Sequence, residues 1–513
     1  MKTILKKKLL SYIFILILGV LSSFSLPPYN YFLINFITFP ALFILLIKQR
    51  LKLNKVEYFF YGWIFGFGYF LSSLYWIIIS LTFDETFKAL IPIAILLIPS
   101  FLGIFYGLAT FIFSYFKKFS NISLVLAFST LFSISEFLRG YILSGFPWNL
   151  ISFSFSEFLP LLQILSFTGT YSFNLLCLTL FTLPSFFYLK KNKFDMHFLI
   201  LFGLLTLSGV IFGQLTINKS KYSSIKKNNF VIKIVSPKID IKRFYYTENE
   251  GEILKSLIQL SKPDKETKTI FIWPEGVFTK TELNNLKIYK NIFAKNFSKK
   301  HLIIFGINDS NNKKTYNSLA VVNNNLDIIS SYNKNKLVPF GEFLPLENFL
   351  RSVGVKTITN YYNSYSKGKK RDIVDLKNQE FDISFLPLIC YEIIYSGNLS
   401  KKQNYDLIIN ISEDGWFGKS IGPHQHFSHS IFRSIEEGKS VIRSTNSGTS
   451  ALINPNGIIS KMLESTYEGV IEVNQIKNPK KTFFSKYGNN IFFYFIIIYI
   501  SLIFFLNTNR EIK

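Results

Sequence analysis

The chain alternates between two hydropathic regimes. Long apolar stretches run from Leu9 to Leu26, Tyr31 to Ile47, Tyr58 to Ser80, Leu90 to Phe116, Ile122 to Leu143, Leu161 to Leu189 and Phe198 to Leu215, and an eighth runs from Ile491 to Leu506. Each is close to the roughly 20 residues that a helix needs to cross a bilayer. Buried helices of a water-soluble core would carry polar faces at helical spacing. These stretches carry almost none, so the pattern predicts eight membrane-spanning helices. From about Lys219 to Lys481 the regime changes: Lys, Asn, Ser and Asp rise, and apolar residues contract into short runs. Phe230 to Val235, Thr269 to Trp273, Leu302 to Phe305, Ser318 to Val322, Phe385 to Ile389 and Leu407 to Ile411 read as short buried strands bounded by turn residues. Glu250 to Leu260 and Asn284 to Phe297 read as amphipathic helices between some of them. This alternation predicts an α/β layered domain with functional groups at strand ends. The expected organisation is therefore a membrane part over 1–218 with seven spans, a polar domain over 219–481, and a linker, last span and tail over 482–513.

Loop charge orients the spans, because short loops rich in Lys and Arg stay cytoplasmic. Lys2, Lys6, Lys7 and Lys8 precede the first span; Lys48, Arg50, Lys52 and Lys55 follow the second; Lys117 and Lys118 follow the fourth. Lys190, Lys191 and Lys193 follow the sixth, and Arg510 and Lys513 end the chain. The intervening loops Pro27 to Asn30 and Gly145 to Pro160 have no Lys or Arg, and Leu81 to Ala89 has only Lys88 beside Asp84 and Glu85. Both termini are thus expected inside and the polar domain outside. Ser23-Phe24-Ser25 is a weak match to a signal-peptide cleavage site, and processing there would leave the downstream topology unchanged.

Composition agrees with a membrane protein: 49% of the 513 residues are hydrophobic and 57 are Phe. The formal charge of +25 comes in large part from the orientation charges. With no basic-aromatic stripe, nucleic acid is not an expected partner. Two cysteines, Cys177 in an apolar span and Cys390 in the polar domain, argue against a disulfide framework.

Three predicted strand ends carry chemistry. In Ile270-Phe271-Ile272-Trp273-Pro274-Glu275-Gly276, an apolar run stops at a carboxylate between proline and glycine. In Tyr332-Asn333-Lys334-Asn335-Lys336-Leu337-Val338-Pro339-Phe340-Gly341-Glu342, a polar run turns tightly. In Phe385-Leu386-Pro387-Leu388-Ile389-Cys390-Tyr391-Glu392, a strand delivers a thiol. Singly, each has an ordinary reading: a small buried residue, a loop carboxylate, a solvated lysine. Jointly they supply what covalent acyl chemistry needs: a nucleophile, a base that takes and returns its proton, and a cation for the developing oxyanion.

These segments resemble the nitrilase, or carbon-nitrogen hydrolase, superfamily. Leu337-Val338-Pro339-Phe340-Gly341-Glu342 with Ile389-Cys390-Tyr391-Glu392 resembles its membrane branch, the apolipoprotein N-acyltransferases. The resemblance implies an α-helical bundle of eight spans plus a nitrilase-like α-β-β-α sandwich outside the cytoplasm. It places the catalytic Glu, Lys and Cys at Glu275, Lys334 and Cys390, with Glu342, Tyr391 and Glu392 supporting the site. Asp414-Gly415-Trp416-Phe417-Gly418 with Pro423-His424-Gln425-His426 is similar to the family's mobile aromatic loop, which implies lipid or substrate contact for Trp416. Arg443-Ser444-Thr445-Asn446-Ser447-Gly448 resembles a late family strand and turn. Glu136-Phe137-Leu138-Arg139-Gly140 with Gly145-Phe146-Pro147-Trp148 resembles the family pattern at the outer end of the fifth span, and Trp148 is expected with Trp416 at a greasy entry. Val235-Ser236-Pro237-Lys238 departs from the family's usual Gln-containing turn.

Two other clusters admit more than one reading. His424, His426 and His429 fall within six residues, yet without a paired Cys or Asp cluster they suit packing or loop positioning better than a metal, and no cofactor is expected. Glu136 and Arg139, three apart on a helix, form either a structural ion pair or a contact to a phospholipid headgroup. By resemblance the protein is expected to be a monomeric inner-membrane enzyme that takes an acyl chain from a phospholipid through a Cys thioester to the N-terminal amine of a diacylated apolipoprotein. The rivals are a membrane-tethered amidase that uses water as acceptor and a non-catalytic lipid-binding scaffold.

Overall fold

A computed structural model describes the chain outside residues 1, 51, 190–192, 222–224, 246–248, 312–313, 353, 360–362, 378–380, 398, 400–403 and 509–513. Lys190, Lys191, Arg510 and Lys513, counted above as orientation charges, lie outside the described residues. The chain forms two compact units: one of 1–78, 86–219 and 487–513, the other of 79–85 and 220–486.

The first unit is helical. Among the described residues, six helical stretches are long and apolar enough to cross a membrane: Lys55–Thr82, Glu85–Phe116, Asn121–Arg139, Leu165–Phe187, Lys193–Ser220 and Asn490–Asn507. The expected first two spans are also helical, over Lys2–Ser23 and Asn35–Lys48. The second is shorter than a full crossing, at 14 residues with a 3-10 turn before it, and the first carries four lysines in its opening turns. Helix starts follow local chemistry: Asn54 and Glu57 form a reciprocal capping box at Lys55, and the Ser120 hydroxyl accepts from the Ser123 amide at Asn121. Between Lys55–Leu74 and Ile91–Phe113, Gly62 and Gly66 bring the backbones together. A methyl group at Gly62 would lie 2.3 Å from the Tyr106 carbonyl oxygen. Small residues four apart permit this close packing where lipid supplies no hydrophobic drive between helices. Leu201, Leu204, Leu205, Leu207 and Ile211 point outward from Lys193–Lys221, as lipid-facing side chains do.

The second unit contains two six-stranded sheets. Its strands are β1 (Ile225–Ser236), β2 (Thr269–Ile272), β3 (His301–Asn311), β4 (Lys314–Asn323), β5 (Ile328–Asn333), β6 (Val374–Asp375), β7 (Ser384–Ile389), β8 (Leu407–Glu413), β9 (Ser440–Asn446), β10 (Ser450–Ile453), β11 (Ile459–Leu463) and β12 (Gly469–Lys477). One sheet runs β12-β1-β2-β3-β4-β5, the other β11-β10-β9-β8-β7-β6. In each, three central strands are parallel: β1, β2 and β3 in the first, β7, β8 and β9 in the second. Alternation along the strands explains the layers. Ile270 and Ile272 join Phe385, Ile389, Leu407 and Ile409 in the core between the sheets. Phe271 and Trp273 point the other way, against Leu254, Leu257 and Ile258 of α1 (Glu250–Ser261) and Phe293 of α2 (Lys290–Asn296). α3 (Gly422–Glu437) packs on the second sheet near β9 and β10. This is the α-β-β-α arrangement of a nitrilase-like fold. It leaves the carboxyl ends of parallel β2, β7 and β8 to carry Glu275, Cys390 and Glu413.

Candidate active site

Glu275 follows β2 across Trp273-Pro274, where Trp273 is fully buried. Gly306 on the neighbouring strand lies so close beneath it that an added methyl would sit 2.6 Å from the Glu275 Cα. The carboxylate is gripped at both oxygens: Asn317 Nδ2 of β4 donates to Oε1 at 2.7 Å, and the Glu413 amide donates to Oε2 at 2.9 Å. Arg243 fastens the same loop from below, donating Nε–H to the Gly276 carbonyl at 3.0 Å and pairing with Glu413. Burial pushes Glu413 up to about 6 although Arg243 opposes it.

Lys334 follows β5 and is 1% exposed. Its Nζ lies 2.9 Å from Glu342 Oε1 and 3.5 Å from Glu275 Oε1. Burial alone would lower its pKa. The charges of Glu342 and Glu275 outweigh that and hold it well above the usual lysine value, so it stays protonated. Asn317 bridges the same carboxylates, since its other N–H reaches Glu342 Oε1 at 2.8 Å. The Val338 amide donates to Glu342 Oε2 at 2.9 Å.

Cys390 turns out of β7 with φ +49°, a left-handed conformation that costs a non-glycine residue on the order of 1–3 kcal/mol. A 3-10 turn, Cys390–Ile394, follows at once, so the thiol stands at a sharp strand-to-turn corner. Glu392 holds that corner. Its Oε2 accepts from the Ile389 amide at 3.0 Å, while Oε1 accepts from Tyr332 Oη at 2.7 Å, the Asn335 and Lys336 amides, and Arg371 Nη2 at 2.8 Å. One carboxylate thereby ties the backbone before the thiol to the backbone just after Lys334 and to the Tyr332 hydroxyl before it. Burial opposes its charge, yet Arg371 and the Ile389 amide hold Glu392 below the usual carboxylate value. Tyr391 is buried with its ring edge-on to Tyr395.

Burial pushes the Cys390 thiol well above its usual value of 9.0, and Glu275 adds to this while Lys334 opposes it. Resting Cys390 is therefore a thiol, and its proton must leave during attack. Alkylation by iodoacetamide without acyl donor is expected to keep rising as pH passes 9, with no plateau at neutral pH. A plateau below pH 8 would mean a preformed thiolate and would contradict the assignment of a base that acts within the step.

The structure thus brings Glu275, Lys334, Glu342, Cys390 and Glu392 together. Trp416 sits half-buried on the turn Asp414–Phe417, 5.1 Å from the Phe244 ring, with Tyr245 and Phe83 at 6.2 Å. Trp148 belongs to the first unit, buried against Trp76 and Phe146. Glu136 and Arg139 are also fully buried there: Glu136 accepts from Tyr106 Oη at 2.6 Å and from Asn174, and Arg139 donates to the carbonyls of Phe146 and Asn149. His426 meets Asp414 and Arg443. Among the described residues, no three His, Cys, Asp or Glu side chains converge in a way that could hold a metal. Asn317, Arg371 and Arg243 are site residues that sequence reasoning missed. The asparagine lies inside a strand of an Asn-rich chain, where nothing local distinguishes it.

Comparison with known proteins adds two family models. One described as the apolipoprotein N-acyltransferase N-terminal domain matches residues 18–183, and one described as carbon-nitrogen hydrolase matches residues 282–475. The second match contains Lys334, Glu342 and Cys390 and begins after Glu275. Three similar proteins bear the name apolipoprotein N-acyltransferase. That of Rickettsia prowazekii is 33% identical, covering 95% of this chain and 98% of that protein. That of Rhodopseudomonas palustris is 30% identical over 89% and 88%. That of Brucella suis is 29% identical over 91% and 90%.

Proposed function

Because this chain belongs to the apolipoprotein N-acyltransferase family, we propose that it moves an acyl chain from a membrane phospholipid, through a thioester on Cys390, to the N-terminal α-amine of a diacylglyceryl-cysteine apolipoprotein. One observation carries this reading: a buried cation held between two carboxylates beside a strained thiol. In the first half-reaction, Cys390 Sγ attacks the ester carbonyl carbon and Glu275 takes the thiol proton. Lys334 has three N–H donors. Two face Glu342 and Glu275, and the third is left for the oxyanion. Collapse breaks the ester C–O bond, and the departing lysophospholipid oxygen takes the proton from Glu275. In the second half-reaction the α-amine attacks the thioester, Glu275 removes its proton, and Cys390 leaves as the thiol.

Lipid substrates suit the surroundings. Phe340, Leu346 and Phe349 are exposed apolar side chains on the segment that carries Glu342, and Trp416 presents an aromatic cluster after β8. The burial of Trp148, Glu136 and Arg139 suits a role in holding the Gly145–Trp148 segment more than direct lipid contact. The family makes this an inner-membrane protein. Loop charge supports eight spans with both termini cytoplasmic and the catalytic domain periplasmic, and a single chain carries all the proposed catalytic groups. The test is to incubate the purified chain with mixed phosphatidylethanolamine and phosphatidylglycerol vesicles and follow Cys390 by mass spectrometry. An acyl adduct that a diacylated cysteinyl peptide discharges is expected. Discharge by water alone would favour the amidase, and no adduct would remove the transferase reading.

A further inference from the structure

Behind the nucleophile lies a buried polar cluster that the mechanism above does not use. Leu388, Asn410 and Arg443 form one row across parallel β7, β8 and β9, and Asp414 and His426 close the cluster; Asn410, Asp414, His426 and Arg443 are all fully buried. Arg443 Nη1 donates to Asn410 Oδ1, which turns the Asn410 amide so that Nδ2 faces the Leu388 carbonyl at 3.2 Å and the Cys390 carbonyl at 3.4 Å. Arg443 Nη2 reaches Asp414 Oδ2 at 2.8 Å and His426 Nδ1 at 2.9 Å. His426 Nε2 lies 3.3 Å from the Cys390 carbonyl oxygen. His426 Nδ1 also lies 2.9 Å from Asp414 Oδ1; because the Cys390 carbonyl can only accept, its contact with Nε2 is a hydrogen bond only with the ring proton on Nε2, and Nδ1 then accepts from Arg443 Nη2. Burial and the Arg443 charge keep the ring neutral, outweighing Asp414, which favours the charged form.

We infer that Arg443, His426 and Asn410 form a positioning device whose two donors grip the Cys390 carbonyl and so set the plane of the Cys390–Tyr391 peptide. A trans peptide holds its C=O and N–H antiparallel. Fixing the Cys390 oxygen toward His426 therefore aims the Tyr391 N–H the opposite way, out of the cluster, where it joins Lys334 in binding the oxyanion. Hydrocarbon packing of equal volume could support the fold as well, because buried ion pairs are weak sources of stability. What hydrocarbon cannot do is donate to a carbonyl whose residue is held at positive φ.

The inference rests on Cys390 being the acylated residue, so the test reads that separately. Acylation of Cys390 is measured with the vesicles above and with a p-nitrophenyl ester, and alkylation with iodoacetamide, whose displacement at saturated carbon creates no oxyanion. Gln places an amide N–H near the position of His Nε2, whereas Asn places it near Nδ1. H426Q is expected to stay close to the parent acylation rate. H426N and H426L should fall about tenfold to a hundredfold, less than the roughly 10²–10³-fold that outright removal of one oxyanion donor costs because the Tyr391 N–H is misaimed rather than lost, with alkylation little changed in all three. Acylation by H426N equal to that of H426Q, or a loss of alkylation in step with acylation, would overturn the inference. If H426L does not fold, the H426Q and H426N pair still decides. A parent chain acylated by the ester but not by vesicles would count against the phospholipid donor and leave this test intact.

Discussion

Replacing Cys390 with alanine is expected to abolish the acyl adduct and to lower phospholipid-to-peptide acyl transfer by about 10⁴-fold or more, the scale seen when a covalent nucleophile is removed. The geometry makes the experiment clean. Alanine tolerates φ +49° no worse than cysteine does, and the loss of one buried sulfur should cost only about 1 kcal/mol. Glu275, Lys334 and Glu342 keep their mutual contacts, because the hydrogen bonds among them and Asn317 do not pass through the thiol. Melting temperature should therefore move by a few degrees at most while turnover disappears. A residual rate within tenfold of the parent would mean that amine attacks ester directly and that Cys390 is an ordinary core residue. Serine at 390 should also fail, since a hydroxyl is a poorer nucleophile under this base and its ester a poorer acyl donor to an amine.

Hydropathy made six of the polar domain's strands readable because each holds an apolar run bounded by turn residues: the runs at Phe230, Thr269, Leu302, Ser318, Phe385 and Leu407 fall on β1, β2, β3, β4, β7 and β8, with Trp273 just past the end of β2. β10 to β12 were not legible. β12, Gly469–Lys477, alternates polar and apolar residues at a sheet edge and pairs with β1, distant in sequence; β11, Ile459–Leu463, is an edge strand exposed along most of its length; and β10 is only four residues long. The expected helix from Asn284 begins as a 3-10 turn and becomes α-helical only at Lys290. In the helical unit, length limits the second expected span. Its 14-residue helix follows the 3-10 turn Phe32–Ile34, a start that hydropathy alone does not register. The catalytic candidates stood at strand ends and could be found. Their supports could not, because Asn317, Arg371 and Arg243 acquire meaning only from site partners 21 to 170 residues away. Ile79–Glu85 is a further case: it reads as the end of the third span and the start of the loop after it, yet it belongs to the second unit, where Phe83 meets Trp416.

Lys334→Met should separate catalysis from stability. The variant keeps the side chain's length and removes its charge, so the oxyanion loses its cation and Glu275 loses its countercharge while keeping Asn317 and the Glu413 amide. Acylation of Cys390 is expected to fall about 10³-fold or more, at or beyond the upper range for one oxyanion donor. The fold should suffer too. Glu275 and Glu342 would share Asn317 with no countercharge, and breaking a buried pair costs about 3–5 kcal/mol. One carboxyl of the variant can relieve the repulsion by binding a proton, so the variant should regain stability as pH falls and lose it as pH rises. Adding Glu342→Gln removes the second charge and leaves an amide that can still meet Asn317. The double variant should therefore melt near the parent temperature at neutral pH while staying inactive. Recovery of acylation along with stability would show that Lys334 serves only to neutralise the carboxylates. Recovery of stability alone is the expected result, and it assigns the lysine's third N–H to the reaction.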